Sequence, residues 1–256
     1  MGRLEGQVAL ITGAGSGIGR GIAAACAREG ARVVAVSKTA AHAEETARAI
    51  RDAGGEAMAI AADVGLKAQV DRAATEALAA YGQVDILVNN AGVNVCSPLL
   101  DLPEEEWDRV FDVNVKGVFL MTQAILRHMA QRRRGRIVNI ASWVGRTPLP
   151  LFAHYSASKA AVIALTRAVA LEAAEWEVTV NAVLPGNVHS NIWPRVLADY
   201  ARLTGKPEEE CLRQFAEGVP LKRFQRVEDV AAAVVFLCSN EAREITGEAL
   251  GVTGGL

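Results

Sequence analysis

Short apolar runs alternate with helical patterns along almost all of this 256-residue chain, and that alternation leaves few folds open. The run Val-Ala-Leu-Ile at 8–11 is too short for a buried helix and ends at Thr12-Gly13. From Gly17 onward, Ile18, Ile22 and Cys26 recur at helical spacing until Glu29-Gly30 closes the segment. Further strands are expected at 32–36, 57–61, 86–88, 136–140, 178–183 and 249–252. The helical patterns between them cover 41–53, 66–81, 104–131, 153–174 and 227–239. Seven strands spaced by helices imply an α/β fold, a doubly wound parallel sheet with helices on both faces and right-handed crossovers. No linker or internal repeat divides residues 1–256, so one domain is expected.

One segment breaks the rhythm. Residues 187–219 form a long excursion between the sixth strand and the last helix, with Pro194, Gly205 and Pro207 inside it. In a doubly wound sheet it emerges at the carboxyl ends of the strands, where such sheets bind ligands. Hydrophobic residues make up 51% of the chain but aromatics only 5%, a balance suited to close helix–sheet packing. The net charge of −2 gives no reason to expect a nucleic-acid or membrane partner, and no apolar run approaches the ~20 residues needed to span a bilayer. Cys26, Cys96, Cys211 and Cys238 are far apart and show no ligand spacing, so no metal site is expected. They read as buried reduced thiols, and with no leader pattern at Met1 a cytoplasmic location is expected.

The turn after the first strand reads Thr12-Gly13-Ala14-Gly15-Ser16-Gly17-Ile18-Gly19. Glycines allow a tight turn and a close approach to a pyrophosphate, and the following helix offers free amides and a positive dipole end. A purely structural turn would use the same glycines, but the position between strand and helix at the start of an alternating chain favours the dinucleotide reading. The expected domain is accordingly Rossmann-like, with Gly13, Gly15, Ser16, Gly17, Ile18 and Gly19 on the cofactor and Gly19 easing helix–sheet packing. The second strand ends in Ser37-Lys38-Thr39, where dinucleotide-binding chains that take NAD(H) carry a carboxylate. A hydroxyl and an ammonium can hold a 2′-phosphate, so Ser37 and Lys38 favour NADP(H), with NAD(H) the alternative if Lys38 is only a solvated loop lysine.

The order of motifs carries a resemblance to a known family. TGAGSGIG at 12–19 is followed by Asp63-Val64, NNAG at 89–92 and Asn114 within FDVNVKGVF. Then come Ser142 within IVNIASWVG, YSASK at 155–159 and PGNVHS at 185–190. Over essentially its whole length the chain resembles the ~250-residue type of short-chain dehydrogenase/reductase. The resemblance implies that Asp63 accepts a hydrogen bond from the adenine amino group, with Val64 beside the ring. It places Asn90, Ala91 and Gly92 along the adenosine ribose, and Pro185, Gly186 and Val188 against the nicotinamide. Lys159 would bind the nicotinamide ribose, and Asn114 would hold a water leading from Lys159 to solvent. Ser190 stands where the family usually has Thr and keeps the hydroxyl.

The residues also argue the chemistry directly. Tyr155 and Lys159 are four apart on a helix and leave one face a turn apart. A phenol is a poor base near neutrality, with an ordinary pKa of about 10. A neighbouring ammonium, joined by an oxidised nicotinamide, favours the phenolate, so Tyr155 is expected to exchange a proton with the substrate oxygen. Ser142, at the end of the fifth strand, would hold that oxygen, while the hydride passes directly between substrate and cofactor. A non-catalytic dinucleotide-binding scaffold is the alternative outside enzymology, but it would be expected to have lost one of Asn114, Ser142, Tyr155 and Lys159, and all are present.

Cys96, Trp143, Leu149, Leu151, His154, Asn187 and Trp193 are the candidate walls of a small-molecule substrate pocket, with His154 and His189 able to meet a hydroxylated or anionic group. Two substrates compete. A 3-ketoacyl thioester on an acidic carrier would suit the run Arg132-Arg133-Arg134, although the second basic residue usual near Trp176 is missing. The long excursion and the ending VTGG at 252–255 resemble hexitol dehydrogenases, which mostly take NAD and so conflict with Ser37-Lys38. The resemblance further implies a homotetramer, pairing helices 104–131 and 153–174 across one axis and the last helix and strand across another. Phe119, Ile125, Val162 and Leu165 would fill either a core or an interface.

Overall fold

The computed structural model describes residues 2–189 and 193–256. Its seven strands are β1 (Val8–Thr12), β2 (Arg32–Ser37), β3 (Ala57–Ala61), β4 (Ile86–Asn89), β5 (Gly135–Ile140), β6 (Val178–Pro185) and β7 (Ala249–Val252). They form one sheet in the order β3-β2-β1-β4-β5-β6-β7, every neighbouring pair parallel. The winding reverses between β1 and β4, which opens a crevice at their carboxyl ends.

Successive side chains of a strand point to opposite faces, and both faces here are buried. Ala9, Ile11, Val33 and Ala35 enter one core with helices α1 (Gly17–Arg28), α2 (Ala40–Asp52) and α9 (Val227–Cys238). Val8, Leu10, Val34 and Val36 enter the other with α3 (Lys67–Tyr81), α5 (Gly117–Arg132) and α6 (Ala153–Ala173). This is the doubly wound arrangement expected from the alternation. Ile125 and Val162 are fully buried within the chain, whereas Phe119 is 45% exposed. The four cysteines are buried and free. Among the described residues no helix is long and apolar enough to cross a membrane.

The single helix expected over 104–131 is instead two, α4 (Glu104–Phe111) and α5, joined by a π-helical turn at Asp112–Lys116. There the Gly117 amide reaches back to the Asp112 carbonyl, one residue further than in an α-helix. Asn114, wholly buried, supplies the physical reason: its side chain is drawn inward to protein partners described below.

The arginine run lies at the far end of the sheet from the crevice, because α5 ends where β5 begins. Arg132 pairs with the nearly buried Asp85 at 2.9 Å, and Arg133 pairs with Glu177 at 3.0 Å. Asp85 also accepts the Val8 amide, so the run anchors the amino edge of β1 instead of facing a carrier at the site.

The excursion folds as α7 (Trp193–Thr204) and α8 (Glu208–Gly218), whose N-terminal turn is entirely acidic, as a helix dipole prefers. Its neck is tied by a short parallel bridge between Val188 and Gln225, with the Gln225 amide on the Asn187 carbonyl and the His189 amide on the Gln225 carbonyl. This holds the two helices over the crevice.

Beneath the crevice runs a buried polar ladder. Asn89 Nδ2 donates to Asn139 Oδ1 at 2.8 Å and to Thr122 Oγ1 at 3.0 Å, and Asn139 Nδ2 donates to Thr166 Oγ1 at 2.9 Å. It links β4, β5, α5 and α6. Asn139→Ala strands a buried amide hydrogen and is expected to destabilise the protein by about 2 kcal/mol, read as a lower urea midpoint at unchanged slope. An unchanged midpoint would show that the ladder contributes nothing.

Candidate active site

The crevice is a single cleft of about 860 Å³ reaching from the glycine turn to the underside of α7 and α8. At one end Gly13 takes φ +64°, and a Cβ there would lie 2.8 Å from Ala91 Cα and Asn90 Nδ2. The segment after β4 is sewn to this turn: Thr12 Oγ1 accepts from the Asn90 and Ala91 amides, while Asn90 Nδ2 donates to the Thr12 and Gly13 carbonyls. A Cβ on Gly19 would meet Asn90 Nδ2 and the Gly13 carbonyl oxygen, both at 2.3 Å, so this glycine lets α1 close on the residues that directly follow β4 and β1. Ser16 precedes α1 in extended conformation and makes no side-chain cap, so the first amides of α1 remain available at the cleft. An elongated, anionic ligand with a pyrophosphate fits such an end.

Beside the turn, a Cβ on Gly15 would sit 2.7 Å from Ser37 Oγ and from His42 Cβ. Lys38 reaches across to Asp63, Nζ to Oδ2 at 2.9 Å, and Asp63 Oδ1 accepts the Gly65 amide. Burial pushes the Asp63 carboxyl up, but the Lys38 ammonium and the Gly65 amide outweigh it and hold it below the usual carboxylate range. The two residues expected to contact different parts of a ligand therefore contact each other.

At the middle of the cleft the catalytic candidates converge. Ser142 follows β5, and its Oγ accepts the Val144 amide at the head of a short turn, Trp143–Gly145. That turn packs on α6 so closely that a Cβ on Gly145 would meet the Lys159 carbonyl carbon at 2.8 Å. Tyr155 and Lys159 lie in the first two turns of α6, with Lys159 Nζ 5.7 Å from the centre of the Tyr155 ring. Lys159 is buried, and its ammonium donates to the Ile140 carbonyl at 2.8 Å. Burial pushes the Lys159 ammonium down to about 8. It pushes the Tyr155 phenol up to about 12, partly opposed by the Ser142 hydroxyl. The expected lowering draws on the ammonium together with an oxidised nicotinamide; in the protein by itself burial outweighs the Ser142 hydroxyl.

Asn114 lies below the cleft. Its Oδ1 accepts the Val93 amide at 2.8 Å, and its Nδ2 donates to the Val93 carbonyl and to Ser158 Oγ, both at 3.0 Å. A Cβ on Gly92 would lie 3.4 Å from Asn114 Oδ1 and 3.5 Å from Lys159 Nζ, so glycine keeps the space between these two groups clear.

Gly13, Gly15, Ser16, Gly17, Ile18, Gly19, Ser37, Lys38, Asp63, Val64, Asn90, Ala91, Gly92, Pro185, Gly186 and Val188 all line the cleft. Ser190 lies outside the described residues. Of the expected substrate walls, Trp143, Leu149, Asn187 and Trp193 line it, and Cys96, Leu151 and His154 do not. Cys96 is buried behind the wall, its Sγ 3.7 Å from the Val196 carbonyl. Leu151 turns the chain at φ +70° and its carbonyl accepts the Ser97 amide. His154 is wholly buried, because one residue before Tyr155 on a helix is about 100° around it. Burial pushes its imidazole down, and the charges nearest it are Glu106 and Arg109 of α4. His189 stands edge-on to Phe224.

The sequence reading missed His42, Asn94, Phe152, Val196 and Phe215 on the cleft wall. Trp193, Val196 and Tyr200 recur at helical spacing, a signal that pointed to an apolar α7 face.

Residues 7–201 match the short chain dehydrogenase family. The chain is 41% identical to a sorbitol dehydrogenase of Cereibacter sphaeroides across 99% of its own length and 98% of that protein's. The structure of a 3-ketoacyl-(acyl-carrier-protein) reductase from Brucella melitensis complexed with NADH superposes with a TM-score of 0.88 at 40% identity, covering 98% of each chain. That of an NAD+-bound xylitol dehydrogenase superposes at 0.96 and 31% identity, covering 98% of this chain and 99% of the other. A doubly wound sheet, a glycine-turn cleft and a Ser, Tyr and Lys meeting within it thus accompany full-length similarity: the chain belongs to the short-chain dehydrogenase/reductase family, oxidoreductases that act between CH–OH and ketone groups with a nicotinamide dinucleotide.

Proposed function

We propose that Tyr155 exchanges the proton of a secondary alcohol or ketone, that Ser142 holds the substrate oxygen, and that Lys159 supplies the positive charge that makes the exchange accessible. The observation that carries this reading is the meeting of all three groups at the middle of one cleft whose end is the glycine turn. A bound nicotinamide supplies the hydride acceptor or donor. Tyr155 must lose its proton from a phenol that burial holds near 12, so the Lys159 ammonium on the same face of α6 favours the phenolate. Lys159, donating to Ile140, keeps further hydrogens for a ribose hydroxyl. Both Asn114 Nδ2 hydrogens have protein partners, but its Oδ1 retains a lone pair toward the space left by Gly92, where a water would join it to Lys159.

NADP(H) is the proposed dinucleotide, because Ser37, Lys38 and His42 surround the end of β2 and no carboxylate takes the ribose-binding place. NAD(H) remains the alternative, favoured by the two solved relatives named with it. Asp63 and Val64 would take the adenine, Asn90 to Gly92 the adenosine ribose, and Pro185, Gly186 and Val188 the nicotinamide. A homotetramer belongs to the proposal, supported by exposed Leu99, Leu100, Trp107 and Phe119 around α4 and α5 and by Leu250 on the edge strand β7. So does a cytoplasmic location, which suits four free thiols.

Titrating NADPH and NADH against the protein and against Tyr155→Phe, by nicotinamide fluorescence, tests the reading. The variant should bind like the parent but lose turnover by about a thousandfold or more. NADPH should bind more tightly; tighter NADH binding would overturn the cofactor preference, and retained turnover would overturn the role of Tyr155.

Lys159 also makes a stability prediction. Its pKa falls from 10.5 unfolded to about 8 folded, so the unfolded chain binds more protons between those values and burial of the ammonium costs about 3 kcal/mol below pH 8. Lys159→Met should therefore stabilise the inactive protein by about 2 kcal/mol at pH 7, after about 1 kcal/mol for the lost bond to Ile140. The gain should shrink as pH rises from about 8 to 10.5, measured by thermal midpoints; a variant less stable at pH 7 would contradict it. For assembly, sedimentation of the native protein should give a species of four chains; a monomer at micromolar concentration would remove the homotetramer.

A further inference from the structure

Above the catalytic group the cleft is closed by six apolar side chains from three parts of the chain. Trp143 and Leu149 follow β5, Phe152 precedes α6, and Trp193, Val196 and Phe215 hang from the excursion. Phe152 and Val196 are each 5% exposed and make a dry floor backed by Cys96. The Trp193 ring is fixed from two sides, edge-to-face with Phe215 at 5.1 Å and 70° and with Phe224 at 5.1 Å and 69°. Tyr200 braces Phe215 in turn at 5.0 Å. Such a wall needs no rearrangement to present ring faces and edges to a ligand.

The polar groups tell against both substrates considered from the sequence. Ser142 and Tyr155 are taken by the reacting oxygen. Asn187, the expected polar wall, donates one amide hydrogen to the Phe215 carbonyl at 3.0 Å, holding α8 over the site, and keeps its second hydrogen and its Oδ1. Asn94 is the other amide on this wall, its Oδ1 buried without a partner, and two amides are few against the hydroxyls of a polyol. A hexitol brings several more hydroxyls, each of which loses water on entry and needs a replacement partner. The charged groups are outside, at the mouth: Glu105, Asp108 and Arg109 are exposed on α4, and Arg109 is already paired with Glu106. That rim repels an acidic carrier protein, and the arginine run that would attract one lies at the opposite end of the sheet.

We infer that the substrate is a small secondary alcohol or ketone bearing an aryl group next to the reacting carbon, with the ring seated between Trp143, Phe152, Trp193 and Phe215. This rests on the oxidoreductase reading above and narrows it.

The purified protein, supplied with NADP+ and separately with NAD+, would be assayed with 1-phenylethanol, glucitol and a 3-hydroxybutyryl thioester. The aryl alcohol should show a kcat/KM about a hundredfold above glucitol, the discrimination expected where unpaired hydroxyls are buried. Trp193→Ala should raise KM for 1-phenylethanol about tenfold and leave dinucleotide binding unchanged, with Leu149→Ala as a milder variant should the first fail to fold. Glucitol or the thioester turned over as well as the aryl alcohol would overturn the inference and leave the oxidoreductase reading standing. Dinucleotide binding with no turnover of any of the three would overturn the inference alone. Absence of both binding and turnover would overturn the two together.

Discussion

A buried ammonium must find oxygen, and Lys159 finds the carbonyl of Ile140 at 2.8 Å. That bond joins the second turn of α6 to the last residue of β5, and much of the site is arranged around it. Because the Ile140 carbonyl stands at the carboxyl edge of the sheet, the lysine is held at the floor of the crevice, with Tyr155 one turn earlier on the same helix face. Ser142, two residues beyond Ile140, is then brought alongside by a turn packed directly on the α6 backbone at Gly145. The arrangement carries a standing energetic tension, since the ammonium is pushed down to about 8 and the phenol up to about 12 by the same burial. A site assembled for stability alone would place neither group there, and perturbed titrations of this kind in a cleft mark candidate functional positions.

Asn114 does for the neighbouring strand what Lys159 does for β5. Its amide takes both the N–H and the C=O of Val93, so it acts as a short piece of strand ladder beyond the end of β4. Its other amide hydrogen goes to Ser158, whose hydroxyl donates to the Tyr155 carbonyl. One side chain therefore connects the NNAG segment to α6, and the helix carrying it opens into a π turn. A π turn inserts one residue and changes the phase of a helix. Here the insertion lets α4 face the mouth of the cleft while α5 packs its apolar side on the sheet.

What could be read from the residues beforehand follows the range of the interaction concerned. The strands, the alternating faces and the glycine turn are local patterns, and each appears within a residue or two of its expected place. Ser142, Tyr155 and Lys159 were visible because a strand end and a helix spacing of four determine where such side chains go. The π turn was not visible, since its cause is Asn114 bonding to Val93, twenty-one residues away. His154 was expected on the pocket wall, but adjacency in sequence to Tyr155 says nothing of the helix rotation between them. The arginine run could face a carrier or simply end a helix in solvent: composition gave its charge, but only the topology gave the end of the sheet on which it sits. The ring cluster of Trp193, Phe215 and Phe224 joins three separate segments and leaves only the α7 stripe as a local trace.

Lys38 and Asp63 show how far a ligand preference depends on such pairings. Each was assigned a separate contact, and each instead neutralises the other at 2.9 Å. Lys38 is 79% exposed, and a pair so open to solvent holds together with only about 0.2–1 kcal/mol. A 2′-phosphate carries more charge than one carboxylate oxygen and can also meet Ser37, so it competes for the ammonium on favourable terms. Asp63 bears the cost of the exchange, because only 20% of its side chain faces water and its other oxygen keeps only the Gly65 amide. The same pair also removes the penalty against an unphosphorylated ribose, since an ammonium already partnered is not left stranded beside a hydroxyl. On the proposed reading, the choice between dinucleotides turns on how Lys38 divides between Asp63 and a 2′-phosphate, two interactions of similar strength.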